Sequence, residues 1–339
     1  MYSLKQKIKQ MFIAGYSGEN PENCKIFSGL LADGLGGAIF FTQNIKTKEQ
    51  FIKSIQKIMN ISLIPSFMSI DEEGGRVERT ENIHNGKKYL SAGDAAVRGE
   101  DFVKSQTEEL CAELKSYGIN MNFAPVLDTN TNPDNPIIGI RAYGNTPEKV
   151  IKFGDTVRTV HEKYGIISVG KHFPGHGDTK TDSHVEMPVV NIKENEFRKT
   201  HLKPFEYEIK NGIPAIMVSH VYYKCFDEEP VPASLSSNIT DKLLRQELNF
   251  KGLIISDDMV MGAVKDLDIK ETYVKAIKAG INIFIYRNSD EKLLEIINTI
   301  YKEAEKDGEL REKAEKSFDL ILDIKRKYAI IKEEKGGKQ

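Results

Sequence analysis

Residues 171–184 read Lys-His-Phe-Pro-Gly-His-Gly-Asp-Thr-Lys-Thr-Asp-Ser-His, and His172, His176 and His184 are drawn from only 7 histidines in the chain. The apolar run Ile166-Ile167-Ser168-Val169 leads into them. Gly175 and Gly177 predict a permissive backbone that can bend and move. Histidines clustered on a loop just past a short apolar strand point to chemistry rather than packing, because loops on a rigid scaffold carry function. An imidazole with a pKa near ~6.5 both donates and accepts protons near neutrality. Asp182, two residues before His184, can fold back onto that ring, orient it and hold its proton.

Other apolar runs also deliver polar groups. Asp71 follows Ser69-Ile70, Asp128 follows Val126-Leu127, His220 follows Val218-Ser219, and Asp257 and Asp258 follow Ile254-Ile255-Ser256. A single aspartate in such a place is as readily a cap or turn residue. Several on one rim are harder to explain by solubility. Two reaction classes use such a set. Metal-assisted hydrolysis would take histidines and aspartates as ligands. His172 and His176 have the four-residue spacing of a zinc-binding helix, but Pro174 and Gly175 between them argue against a helix. Glycoside hydrolysis needs a carboxylate on one side of the anomeric carbon and a proton donor on the other. Asp257 suits the first role; His184 or a nearby acid suits the second.

The elements that must position these groups alternate regularly. Helical periodicity is expected over residues 4–10, 23–32, 48–60, 101–117, 148–164, 194–210, 241–248 and 271–278. Short apolar strands are expected over 11–15, 37–41, 65–70, 119–126, 166–169, 214–219, 253–255 and 282–286. Several of the helices stop at a glycine, as C-terminal caps prefer. Strands that are apolar throughout are buried on both faces. About eight strand–helix units predict an α/β fold, a single-domain (β/α)8 TIM-type barrel. The rival, a doubly wound open sheet, would carry a glycine-rich phosphate turn after its first strand. Gly15-Tyr16-Ser17-Gly18 does not match one. Residues 1–330 are assigned to the barrel, with 309–328 as a terminal helix packed outside. The Lys/Glu/Gly-rich tail, 331–339, is expected to be disordered.

Composition narrows the function classes. The chain has 339 residues, 40 % hydrophobic and 29 % charged, with a formal net charge of −2. No basic surface for nucleic acid is implied. No apolar run approaches the roughly 18 residues that span a bilayer, and residues 1–5 lack the apolar core of a signal peptide. Cys24, Cys111 and Cys225 are widely separated and form no Cys-x-x-Cys pair, so a reduced, cytoplasmic setting is expected. A monomer acting on a small molecule is the simplest reading.

The run from Lys171 to Thr179, followed by Asp182-Ser183-His184, resembles the signature of the family 3 glycoside hydrolases, in their β-N-acetylglucosaminidase branch. Residues 71–79, residues 135–144 and Ser256-Asp257-Asp258-Met259 resemble further blocks of that family in the same order. The resemblance implies a retaining mechanism without metal or organic cofactor. Asp257 would be the nucleophile, and His184, paired with Asp182, the general acid/base. Asp71 would accept hydrogen bonds from sugar hydroxyls, while Arg79, Arg141, Lys171 and His172 would donate to hydroxyls or to the acetamido group. An alternative for Asp71 is a rim ion pair with Arg79 or Lys171.

The chain departs from the family pattern at Glu72, where glutamine is common, and at Ile140 and Ala142 around Arg141. Val260 replaces a serine and Asn282 a frequent aspartate. Asp258 is expected to be structural, bonding a neighbouring amide. The expected activity is that of an exo-β-N-acetylglucosaminidase acting on small glycans, plausibly cell-wall muropeptides. Phosphate in place of water as acceptor, a metal-dependent amidohydrolase-like barrel and a non-catalytic sugar-binding protein are the alternatives.

Overall fold

The computed structural model describes residues 2–84, 86–179, 187–262, 264 and 267–331. Eight parallel strands close into a barrel in chain order: β1 (Phe12–Ala14), β2 (Gly37–Phe40), β3 (Phe67–Ile70), β4 (Met121–Asn122), β5 (Ile167–Phe173), β6 (Ala215–Val218), β7 (Leu253–Asp258) and β8 (Ile283–Tyr286), with β8 pairing back onto β1. Closure excludes the open doubly wound sheet. Every residue of β1, β2, β3, β6 and β8 is buried. That burial on both faces is why these strands read as short continuous apolar runs rather than alternating ones.

Helices fill the crossovers. Ser3 and Gln6 cap the first helix reciprocally, Thr47 caps Lys48–Ile61, and Asp290 caps Glu291–Ala304. The helix Glu100–Tyr117 ends on Gly118 in the left-handed conformation. The helix Ala92–Arg98, the helix Glu291–Ala304 and a two-stranded sheet of Val189–Val190 with Tyr222–Tyr223 add to the expected elements.

Strand limits differ from expectation in ways that matter for the site. β4 is short because Pro125 has no N–H to continue the ladder, and pairing resumes as a bridge between Val126 and Lys171. β5 and β7 run longer, so Lys171 and His172 lie within β5, and Asp257 and Asp258 end β7, rather than following their strands. The terminal helix, Gly308–Lys327, packs against the Leu4–Gln10 helix as an outer element. It also sends Lys325, fully buried, into the floor of the barrel. Of the expected tail, only Ile331 lies within the described residues.

Candidate active site

The C-terminal ends of the strands surround a cavity of about 200 Å³. β7 brings Asp257 to its wall. Where β8 pairs with β7 the register shifts between Ile283 and Ile285, and both Asp257 and Asp258 line the cavity, although neighbours in a regular strand face opposite ways. Asp257 Oδ1 accepts the Asp258 N–H at 2.8 Å. Burial pushes the Asp257 carboxyl up, but the His172 and His220 rings, that amide and the Lys171 ammonium outweigh it and hold its pKa below the usual range. It is therefore a carboxylate at neutral pH. Asp258 bonds a neighbouring backbone amide, the contact expected of it. It accepts the Val260 N–H at 3.1 Å and pairs with the Arg287 guanidinium, and burial raises its pKa.

β5 supplies the next groups. Its register against β6 shifts between Gly170 and Phe173, and Lys171 and His172 both line the cavity. Asp128, fully buried, organises this corner. It bonds His172 Nδ1 at 2.7 Å and accepts the His176 N–H at 2.6 Å. Burial pushes the Asp128 carboxyl up, but the His172 and His176 contacts bring it below its ordinary value. The His176 ring bonds Thr179 Oγ1 at 2.8 Å, and burial beside His172 lowers its pKa to about 4. His172 lies in a strand and His176 beyond Pro174, so their spacing is not that of one helix face.

Gly175 and Gly177 serve close packing rather than freedom to move. A Cβ on Gly175, whose φ is +140°, would lie 2.7 Å from His201 Cβ, and one on Gly177 would lie 1.8 Å from the Thr129 carbonyl oxygen. Tyr223 OH also donates to Gly175 O at 3.0 Å. The beginning of this loop is wedged against its neighbours. Asp182 and His184 lie outside the described residues.

The segment after β3 completes the opposite wall. Lys171 Nζ is 2.7 Å from Asp71 Oδ1 and 2.5 Å from Glu73 Oε1, so one of the ion pairs weighed for Asp71 is present. Glu73 also grips Arg141 through two bonds of 2.8 Å, and Arg141 Nη2 lies 3.3 Å from His172 Nε2. Burial opposes ionisation of Glu73, but Arg141 and Lys171 prevail and hold it well below the carboxylate range. Arg79 stacks over Phe41 at 5.8 Å and lines the cavity, and its buried Nε has no hydrogen-bond partner among the described residues.

The structure thus brings Asp71, Arg79, Arg141, Lys171, His172 and Asp257 to one cavity over an apolar floor that includes Phe123, Met217 and Ile285. His220, a rim candidate by position, is buried, bonds Ser234 Oγ at 2.7 Å and is not among the lining residues. Glu73 and Arg287 escaped sequence reasoning. Glu73 is hidden in an acidic run of three residues. Arg287 had a signal, as a lone cation just past the last strand. Chemically, the cavity offers one ionised carboxylate with no salt bridge among the described residues, Asp257, together with paired charges and the Arg79 guanidinium that can share hydrogen bonds with a neutral polyol.

The sequence matches the family model described as the glycosyl hydrolase family 3 N terminal domain over residues 3–319. The chain belongs to glycosyl hydrolase family 3. Beta-hexosaminidase from Nitrosomonas eutropha is 31 % identical to this family 3 chain over 272 residues, covering 78 % of this chain and 77 % of that one. Beta-hexosaminidase A from Pseudoalteromonas piscicida is 34 % identical over 275 residues, 74 % of this chain but 45 % of that protein. A family 3 β-N-acetylglucosaminidase structure from Paenibacillus sp. str. FPU-7 superposes with a TM-score of 0.88 at 31 % identity, over 99 % of this chain and 65 % of its own. This family 3 chain therefore spans less than half of the Pseudoalteromonas relative and just under two thirds of the Paenibacillus one.

Proposed function

We propose that this chain is a retaining exo-β-N-acetylglucosaminidase. The observation that carries the reading is Asp257: an ionised carboxylate with no salt bridge among the described residues, on the wall of a cavity whose other carboxylates, Asp71 and Asp258, are each paired with a cation. In the first step the Asp257 carboxylate attacks the anomeric carbon, the glycosidic C–O bond breaks, and the leaving oxygen takes a proton from His184. In the second, water gives a proton to His184 and its oxygen displaces Asp257. Asp182 holds and orients the His184 ring. This pairing rests on the family resemblance, and it departs from the usual two-carboxylate arrangement without changing the physical roles. Asp71, Arg79, Arg141, Lys171 and His172 bind the sugar.

A cavity of only about 200 Å³, lined by Phe123, Met217 and Ile285 beside its polar groups, supports a chain end over an internal unit. The names of the relatives support an N-acetylhexosamine as that end; small glycans such as cell-wall muropeptides are the substrates we propose. No helix among the described residues is long and apolar enough to cross a membrane. Cys24, Cys111 and Cys225 are free thiols, which supports a reducing, cytoplasmic setting. We take the protein to act as a monomer, without metal or organic cofactor in the reaction.

The test is release of the aryl group from an aryl β-N-acetylglucosaminide against the matching β-glucoside. It is run in phosphate-free buffer, with added phosphate, and with EDTA. The expected result is preference for the acetamido sugar, free sugar as product, and no loss of kcat per folded molecule on chelation. Sugar 1-phosphate as product would change the acceptor to phosphate. Loss of kcat with EDTA in chain that stays folded would overturn the metal-free mechanism. Binding without turnover of any glycoside would overturn the enzymatic reading.

A further inference from the structure

Behind the sugar-binding wall, three buried side chains face one another in a way the proposed reaction does not use. Glu72, Glu78 and His84 each offer a ligand atom within 4.8 Å of those of the other two. Their exposures are 1 %, 7 % and 6 %. Glu72 Oε2 accepts the N–H groups of Arg79 and Thr80 at 2.9 and 3.1 Å. Its other oxygen, Oε1, is buried and has no hydrogen-bond partner among the described residues. His84 Nδ1 bonds Glu78 Oε1 at 2.8 Å, and Nε2 lies 2.5 Å from Thr80 Oγ1 and 3.3 Å from Glu113 Oε2. Three carboxyl groups thus surround one imidazole. A buried carboxylate oxygen without a donor costs free energy, and an excess of acceptors over cations in a dry site calls for a positive charge.

We propose that Glu72, Glu78 and His84 bind one divalent transition-metal ion of the zinc type. One imidazole nitrogen with two carboxylate oxygens suits Zn²⁺ better than Mg²⁺, which prefers oxygen alone. Zinc–ligand bonds of roughly 2.0–2.2 Å place tetrahedral ligands about 3.3 Å apart. The ligand atoms therefore need to shift by on the order of an ångström at most, the Glu78–Nδ1 pair, now 2.8 Å apart, opening slightly and the wider separations closing, within the reach of χ rotations in two glutamates and a histidine. Glu78 would exchange its bond to His84 Nδ1 for the metal, and the displaced Nδ1 proton, with the proton that the Glu72 carboxyl gives up to become a ligand, would leave to solvent. Thr80 Oγ1 remains on His84 Nε2, the outer partner a metal-ligating histidine needs. Tyr89 OH donates to Glu113 at 2.9 Å beside it.

Such an ion ties together both ends of the segment from Glu72 to His84. Asp71 precedes this segment, and Arg79, which lines the cavity, lies inside it. The ion is therefore structural: it fixes the sugar-binding wall and takes no part in bond breaking. It is an addition to the expectation that the chain needs no metal, not a revision of the chemistry proposed for Asp257.

The test strips the full chain with chelator and titrates it with Zn²⁺ alone, following thermal stability, bound metal per chain and proton release. Glu72→Gln and Glu78→Gln are run beside the wild type, with Mg²⁺ as control. Glutamine at 72 keeps the acceptor for the Arg79 and Thr80 amides, so that variant is expected to fold. The expected result is one Zn²⁺ per chain, proton release and a rise in Tm of about 3 °C or more in excess Zn²⁺. The rise disappears in both variants and is not produced by Mg²⁺. No bound Zn²⁺ in the wild type would overturn the proposal. Equal binding by either variant would also overturn it, placing the ion elsewhere, for instance among the cavity histidines. Should one variant fail to fold, the other decides.

Discussion

The two ends of the barrel bury charge in opposite ways. At the floor, Lys325 is met by neutral acceptors: Gln10 Oε1 at 2.8 Å, the Gly36 carbonyl at 2.9 Å and the Phe67 ring at 4.6 Å. Arg245 there bonds the carbonyls of Phe250 and Gly252 and Asn282 Oδ1. At the rim, charge meets charge: Lys171 with Asp71 and Glu73, Arg141 with Glu73, and Arg287 with Asp258, while the His172 ring bonds Asp128. Neutral acceptors plug a hole and fasten the terminal helix beneath it. Paired charges keep groups ionised, oriented and ready to exchange partners with a ligand. The floor is built for stability and the rim for chemistry, in keeping with the division of labour of such barrels.

The comparison breaks if activity and stability do not separate. Asp257→Asn should lower kcat by on the order of 10³-fold or more with a Tm within a degree or two of wild type. Steady-state kinetics and a melting curve on one preparation check both. Lys325→Ala should do the reverse. It opens a cavity and strips Gln10 and Gly36 of their donor, a cost of about 3 kcal/mol. Tm should drop by several degrees while kcat per folded molecule stays unchanged. Glu73→Gln lies between. It weakens the hold on Arg141 and Lys171, so KM should rise by on the order of 10-fold, with kcat less affected; saturation curves separate the two terms.

pH sharpens the contrast further. Burial raises Glu72 from 4.5 to about 8, with Glu78 adding to it. The folded state then holds a proton that the unfolded state loses, so this group makes stability fall as pH rises from about 4.5 through 8. In chelator, Glu72→Gln should remove that fall and so gain over wild type most at pH 8 and above. Lys325 has the opposite sign. Burial depresses its pKa well below 10.5, so the unfolded chain binds the extra proton and stability rises with pH up to that value. Lys325→Met should flatten that rise. Urea midpoints across pH for the two variants check both slopes, which are the smallest of these effects.

The barrel was legible because its strands are buried on both faces and its helices carry their own caps. The runs at 37–41 and 282–286 and the helices at 4–10 and 48–60 needed no tertiary information. The site was legible in type but less so in detail. Lys171, His172, Asp257 and Asp258 lie inside their strands, because register shifts at Gly170–Phe173 and Ile283–Ile285 turn consecutive side chains to one cavity. No periodicity announces such a shift. Gly175 and Gly177 read as flexible because composition cannot distinguish freedom from close approach. Glu73 was hidden because its partners, Arg141 and Lys171, are 68 and 98 positions away. Nothing in the sequence sets Lys325 apart from Arg326 and Lys327 in the same last helical turn.

The most direct test of the central claim is to trap the intermediate. A fluorinated β-N-acetylglucosaminyl donor, slow to deglycosylate, is incubated with the full chain, quenched in acid and digested for peptide mass spectrometry. The account predicts one glycosyl adduct per chain, carried by Asp257 and absent in Asp257→Asn. An adduct on Asp258 or another residue, or turnover of that donor by a chain that never accumulates an adduct, would contradict it.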